Sequence, residues 1–272
     1  MNLTAKVLTL LDTAMSRPPI YGWFHIMWLV ITVGATVVLC RRFGKNKDKY
    51  APTIVLAVAV AVTLLEVYKQ INYTFTVSDT GVVSGDFQWY AFPFQFCSMP
   101  MYVGLLTGLF RKGKVHDALY AFLATYSVFA GVCVMLYPQD VFIETVGINI
   151  QTMICHGSMI AVGVYLLYSG YVKIEHRTVL KAMPVFAVAV ALAAVMNEVA
   201  HLTGLLQTET FNMFFISPHC EPSLPVYSLV QQVVPFPWCL LIYIAVFTLA
   251  AYIILLLAML IRNLRKSKQV SV

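Results

Sequence analysis

The stretch VPFPWCLLIYIAVFTLAAYIILLLAMLIRNLRKSK, residues 234–268, decides the fold class. It carries no charged residue from Val234 to Ile261, and then Arg262, Arg265, Lys266 and Lys268 follow in quick succession. A helix rises about 1.5 Å per residue, so this run is long enough for the roughly 30 Å hydrocarbon core of a bilayer. Basic side chains at one end only mark the end that stays in the cytoplasm. The rest of the chain repeats the theme. Its 272 residues are 60% hydrophobic and 11% charged, with a mean hydropathy of +0.79. A soluble domain carries about 25% charged residues. A water-soluble fold has nowhere to hide this much apolar surface, which excludes a soluble enzyme, a disordered chain and a fibrous repeat. Six cysteines, with no paired C-x-x-C, make neither a disulfide scaffold nor a zinc motif.

Six further apolar runs precede the quoted one: Tyr21 to Cys40, Thr53 to Tyr73, Trp89 to Phe110, Leu119 to Leu136, Val146 to Tyr168 and Val179 to Leu206. The predicted fold is therefore all-α, a polytopic bundle of seven transmembrane helices. Fifteen of the eighteen Lys and Arg residues follow the first, third, fifth and seventh runs, while the other loops hold acids such as Asp79, Asp86, Asp140, Glu144, Glu209 and Glu221. That alternation predicts an outside N-terminus and a cytoplasmic C-terminus. The net charge of +6 is thus a topology signal, and a nucleic-acid partner is not expected. Three regions are expected: a short interfacial segment over 1–20, a transmembrane domain over 21–261 and a basic tail over 262–272. Leu3, Val7, Leu10 and Leu11 recur at helical spacing in the first region, whereas Arg17, Pro18 and Pro19 rule out a signal-peptide reading. The expected setting is the plasma membrane of a bacterium, with membrane lipids as partners and the oligomeric state open.

An intramembrane charge costs roughly 2.5–3.5 kcal/mol on insertion scales, so polar residues inside spans usually face a bundle interior or a wet cavity. Glu66 and Lys69 lie late in the second run. Gln95, Cys97 and Ser98 come early in the third, Asn149 and His156 early in the fifth, and Asn197, Glu198 and His201 late in the sixth. With the alternating topology, all of them fall in the outer half. The expectation is one polar cavity at that height; the bland alternative is that helix ends near an interface are simply more polar. Glu66 and Lys69, at i,i+3, offset each other whether as a structural or a functional pair. Asn197 and Glu198 stand where they could orient the His201 imidazole.

A thiol near an imidazole can become a thiolate, the nucleophile of acyl transfer. Cys97 with His156 and His201 forms that candidate catalytic set. Gln95, Ser98 or Asn149 could donate to an oxyanion, and Glu66, Lys69, Asn197 and Glu198 complete the candidate substrate-binding residues. Cys133 and Cys155 serve as internal controls, since a free cysteine is commonly just a small buried apolar side chain. Haem held by His25, His156 and His201 is a rival, but nothing in the sequence requires a cofactor or a metal. Passive binding or transport of lipid or solute is the other rival, favoured by Pro93, Pro100, Pro184, Pro235 and Pro237.

Three segments carry a family resemblance: QWYAFPFQFCSMPMY (Gln88 to Tyr102), ICHGSMIAVGVYLLY (Ile154 to Tyr168), and Asn212 through Pro218 to PFPWCLLIY (Pro235 to Tyr243). Together they resemble the YwaF-like integral membrane family, over most of the chain. Its eukaryotic relatives, the transmembrane protein 164 acyltransferases, are similar to enzymes that remodel ether phospholipids with a membrane cysteine as acyl carrier and a histidine as its partner. The resemblance implies the acyl-thioester role for Cys97 and the base role for His156. It also exposes a departure: the family commonly has His two residues before the Cys, where this chain has Gln95.

Overall fold

The computed structural model describes residues 2–204, 210–221 and 224–270, without the side chains of 225, 226 and 268–270. Leu205, Leu206 and Glu209 of the sequence reading lie outside them. The described chain is mainly helical, and five helical stretches are long and apolar enough to cross a membrane: Trp23–Thr74, Lys114–Leu136, Val146–Tyr168, Arg177–Leu202 and Cys239–Ser267.

The first stretch is two helices. α2 (Trp23–Phe43) and α3 (Lys47–Thr74) are separated by a 3-10 turn at Gly44–Asn46, where the backbone leaves helical geometry at Asn46 (φ −113°, ψ 51°). Both pack on α7 (Val146–Tyr168), in opposite directions. Along α2, Thr32 abuts Gly157 and Gly44 abuts Tyr168. Along α3, Lys47 Nζ donates to the Gly170 carbonyl (2.6 Å), whereas Tyr68, a good five turns later, abuts Gly147. α1 (Leu3–Leu11) precedes them, capped by Asn2, whose Oδ1 accepts from Ala5 N–H at 2.8 Å. Tyr68 Oη donates to the Leu11 carbonyl and ties α1 to the far end of α3.

The expected third span is not a continuous helix. Residues 89–98 hold only two 3-10 turns, Trp89–Ala91 and Phe96–Ser98, and α4 begins at Met99 and ends at Leu106. Proline explains the difference. Phe92, before Pro93, is pushed to an extended ψ of 134°, and Pro100 fits only the first turn of α4. Hydropathy counts what enters oil, but only α-helical backbone satisfies its own hydrogen bonds there. Here side chains do part of that work: Tyr102 Oη donates to the Pro93 carbonyl (2.8 Å) and Gln70 Nε2 to the Ala91 carbonyl (2.9 Å).

The fourth run forms α5 (Lys114–Ala124) and α6 (Tyr126–Leu136), broken at Thr125, whose φ and ψ are −128° and −74°. Thr125 Oγ1 donates back to the Ala121 carbonyl at 2.7 Å, a bond that bends helices. α5 and α6 pack closely on α7 because small residues stand at the crossings. A Cβ on Gly163 would lie 2.6 Å from the Leu123 carbonyl oxygen, and one on Gly131 2.7 Å from that of His156. α7 is consequently the central helix, buried along most of its length as α5 and α6 also are, while little of α10 (Cys239–Val270) is buried.

α8 (Arg177–Leu202) runs beside α5 and α6, with Lys181 at 3.4 Å from Asp117 and the Phe186 ring 4.9 Å from that of Tyr126. α10 returns along them, from Tyr243 Oη donating to the Phe214 carbonyl (3.1 Å) to Arg262 donating to the Ile174 carbonyl (2.9 Å). A short helix, α9 (Pro225–Val233), precedes α10. One β-hairpin, unforeseen in an all-α reading, follows α3: Phe75–Val77 pairs antiparallel with Val83–Gly85, Phe75 opposite Gly85.

Candidate functional site

The polar residues gather at the end of the bundle away from the basic loops, and their contacts divide them into separate groups. The first surrounds Cys97. It sits in the 3-10 turn Phe96–Ser98, fixed from behind by its neighbour. The Phe96 ring meets Phe186 at 5.3 Å and Phe247 at 5.2 Å, inside an aromatic cluster that includes Phe214, Tyr126 and Tyr243. With Phe96 anchored inward, Cys97 is left exposed. Protein atoms crowd around its sulfur, and the charges of Lys69 and Glu66 act on the thiol. Lys69 Nζ lies 2.7 Å from Glu66 Oε1, and Gln70 Nε2 donates to the same oxygen at 2.9 Å. The pair is mostly withdrawn from solvent, with side-chain exposures of 18% and 11%. A groove of about 390 Å³ between α3 and α4 reaches Glu66 and Gln70, with Pro93 and Tyr102 on its far wall. Deeper between α3, α4 and α7, a cavity of about 30 Å³, room for a water, is lined by Pro100, Gly104 and Cys155.

Cys155 belongs to this neighbourhood: Glu66, Cys97 and Lys69 all act on it. It is buried, and Gln151 Nε2 donates to its Sγ at 3.4 Å. The sequence reading set it aside as a control. Its i+4 relation to Gln151, on the helix that already held His156, was the available signal. Cys133, the other control, is exposed on α6.

The second group consists of amides. Gln95, Asn149 and Asn197, read as candidate substrate contacts, each hold loop backbone. A side-chain amide offers the same donor and acceptor as a peptide group, so it can pair with one. Asn197 accepts from Met213 N–H (2.7 Å) and donates to the Met213 carbonyl (3.0 Å). Gln95 accepts from Phe214 N–H (2.8 Å) and donates to the Asn212 carbonyl (3.0 Å). Asn149 accepts from Ile143 N–H (2.9 Å) and donates to the Ile143 carbonyl (2.7 Å). The first two clamp a strained loop. Phe214 and Phe215 both have φ of 57°, a left-handed conformation that costs a non-glycine residue on the order of 1–3 kcal/mol.

The histidines stand apart from one another. His25 is fully buried, with Nε2 2.8 Å from the Met135 carbonyl and Nδ1 accepting from Tyr21 N–H, so both ring nitrogens are engaged. His156, also buried, uses Nδ1 on the Thr152 carbonyl at 2.8 Å, and its Nε2 has no hydrogen-bond partner among the described residues. Bonding at Nδ1 assigns the proton there and leaves Nε2 with a free lone pair. No hydrogen bond joins Cys97 to His156 or His201 among the described residues. His201 is exposed and stacks on His219, centroids 3.5 Å apart and planes within 3°. Glu198, expected to orient His201, instead places both carboxylate oxygens 3.1 Å from His219 Nε2. His219 was missed because it lies in a loop far along the chain, with no helical spacing to point to it.

No curated protein and no solved structure matches this chain. The model of the TMEM164 family matches residues 20–257, a span from just before α2 into α10 that contains Cys97, His156 and His201. The chain belongs to the TMEM164 family.

Proposed function

We propose that this integral membrane protein crosses the bilayer of a bacterial plasma membrane seven times, N-terminus outside, and transfers acyl chains between phospholipids through Cys97. Chain direction reverses at each successive apolar run, and the basic loops share one end of the bundle, which supports the topology. The observation that carries the activity is the setting of Cys97. It is a cysteine at the protein surface in a 3-10 turn outside the α-helices, within reach of the charges of the Glu66–Lys69 pair, and Glu66 in turn lines the groove between α3 and α4. Irregular backbone at membrane depth is tolerated where it is buried in protein or lines a cavity. A lateral groove suits a substrate whose reacting ester lies just below the headgroups.

In this reading the Cys97 thiol gives its proton to His156 Nε2, the lone pair left free by the Thr152 bond. The thiolate attacks the ester carbonyl, the C–O bond breaks, and the departing alkoxide of the lysophospholipid recovers the proton. A second lysophospholipid hydroxyl then gives its proton to the imidazole and attacks the thioester; the C–S bond breaks, and the departing thiolate takes the proton back from the imidazolium to restore the thiol. An ester is broken and an ester is formed, so no activated donor is consumed. Ser98 stabilises the developing oxyanion, Gln95 and Asn197 hold the loop that shapes the site, and Asn149 anchors the start of α7. Glu66 and Lys69 tune the thiol by their charges. His201, with Glu198 and His219, meets the headgroup.

A non-catalytic lipid-binding reading is favoured by one observation, the lack of a Cys97–His156 hydrogen bond among the described residues. Lipidomics separates the two. Cells carrying wild type should show acyl-chain redistribution that Cys97→Ser abolishes; a binding protein would leave the two lipid profiles alike. A lipid-like electrophile tests the nucleophile in a Cys133→Ser background, because exposed Cys133 would otherwise react as well. Labelling should vanish with Cys97→Ser; if it persists, Cys97 is not the nucleophile.

A further inference from the structure

At the opposite end of the bundle, a groove of about 830 Å³ runs between α7 and α10. Its volume lies in the range of small-molecule sites, roughly 300–1,000 Å³. The groove changes character along its length. Toward the middle of the bundle its walls are apolar, with Val128, Val164, Leu257 and Ala258. At its mouth stand Lys173, Arg262, Arg265 and Lys266, all exposed, with Glu175 as the only acid among the described lining residues. From Ile254 to Lys266 the α10 wall is about 18 Å long at 1.5 Å per residue.

Two of the cations are held in place. Arg262 donates one guanidinium N–H to the Ile174 carbonyl at 2.9 Å, and Arg265 lies over the Tyr168 ring, 5.4 Å from its centroid. None of the four is in an ion pair among the described residues. Pre-positioned guanidinium groups without acid partners are suited to bind phosphate oxygens. An apolar slot running from them into the depth of the bundle suits an acyl chain.

We infer that this groove binds an anionic glycerophospholipid, its phosphate on Arg262, Arg265, Lys266 and Lys173 and one acyl chain between α7 and α10. The charge at the mouth selects the occupant: a zwitterionic lipid brings its own cation to a place that already holds four. The basic residues of α10 lie beyond the residues matched by the family, whereas Lys173 lies within them. The inference does not depend on acyl transfer at Cys97.

Native mass spectrometry of the full-length, delipidated protein in detergent tests it. Dioleoyl phosphatidylglycerol should bind more tightly than dioleoyl phosphatidylcholine. The triple variant Arg262→Gln, Arg265→Gln, Lys266→Gln should weaken phosphatidylglycerol binding about tenfold or more, from the usual contribution of basic residues facing anionic lipid. These are exposed positions, and a thermal-unfolding midpoint equal to wild type certifies the fold. Ala258→Phe, which fills the slot, should weaken binding while leaving the basic mouth intact. Equal affinity for the two lipids, wild-type binding by the triple variant, or full competition by glycerol phosphate without acyl chains would each overturn the proposal.

Discussion

Residues 89–110 and residues 146–168 have the same apolar look in sequence and fold differently. The second is one unbroken helix, α7, whose bounds are those the hydropathy run predicts. The first is two 3-10 turns and a helix of eight residues. Both carry a cysteine near the Glu66–Lys69 pair, yet Cys155 on the helix is buried and Cys97 on the broken segment is exposed. Proline separates the two cases. It denies the backbone of residues 92–100 a regular helix, and the turn that results leaves Cys97 at the surface. A regular helix places every side chain by period alone; a broken one can aim a single residue.

That contrast can be tested by degrees. The largest effect is expected from exchanging the two thiols. Cys97→Ser should reduce acyl transfer to background, while Cys155→Ser, which keeps a hydrogen-bond acceptor for Gln151, should retain most of it, as measured by release of labelled lysophospholipid. Comparable losses in both would erase the distinction between the segments. Next comes the clamp that shapes the broken region. Asn197→Ala leaves Met213 N–H buried without a partner, at about 1–3 kcal/mol for the unmet group, and leaves the Met213 carbonyl only its long bond from Ile216 N–H, so it should lower the thermal-unfolding midpoint in detergent markedly. An unchanged midpoint would mean that the loop is held by other contacts.

Smaller effects probe the helical side of the comparison. Gly163→Ala drives a methyl into the Leu123 carbonyl and should cost about 1–3 kcal/mol of stability. Gly34→Ala, on the face of α2 where nothing lies within 4 Å, should be neutral or stabilising by up to about 1 kcal/mol. If both substitutions behave alike, close approach of α5 and α6 to α7 is not what makes α7 the central helix.

Much of this was legible in the sequence. The α8 run began two residues from its predicted start, and α2 was displaced by two or three, because both are uninterrupted apolar segments. The break at Thr125 was not foreseen, since threonine bends a helix only when its hydroxyl turns back onto the previous turn. The shared height of Cys97, Glu66 and Lys69 could be read from topology. The partners could not. Gln95 and Asn197 act on Asn212–Phe214, and Glu198 acts on His219, contacts set by a loop that has no period. Depth is a one-dimensional property of a span, whereas a pairing needs the rotation of each helix and the path of each loop.

The most direct test is the covalent intermediate itself. Purified protein incubated with phospholipid, acid-quenched and mapped by mass spectrometry should carry an acyl mass on the peptide containing Cys97. Hydroxylamine should remove it, and the peptides containing Cys133 and Cys155 should be unmodified. An unacylated Cys97, or equal acylation of all three cysteines, would contradict the account.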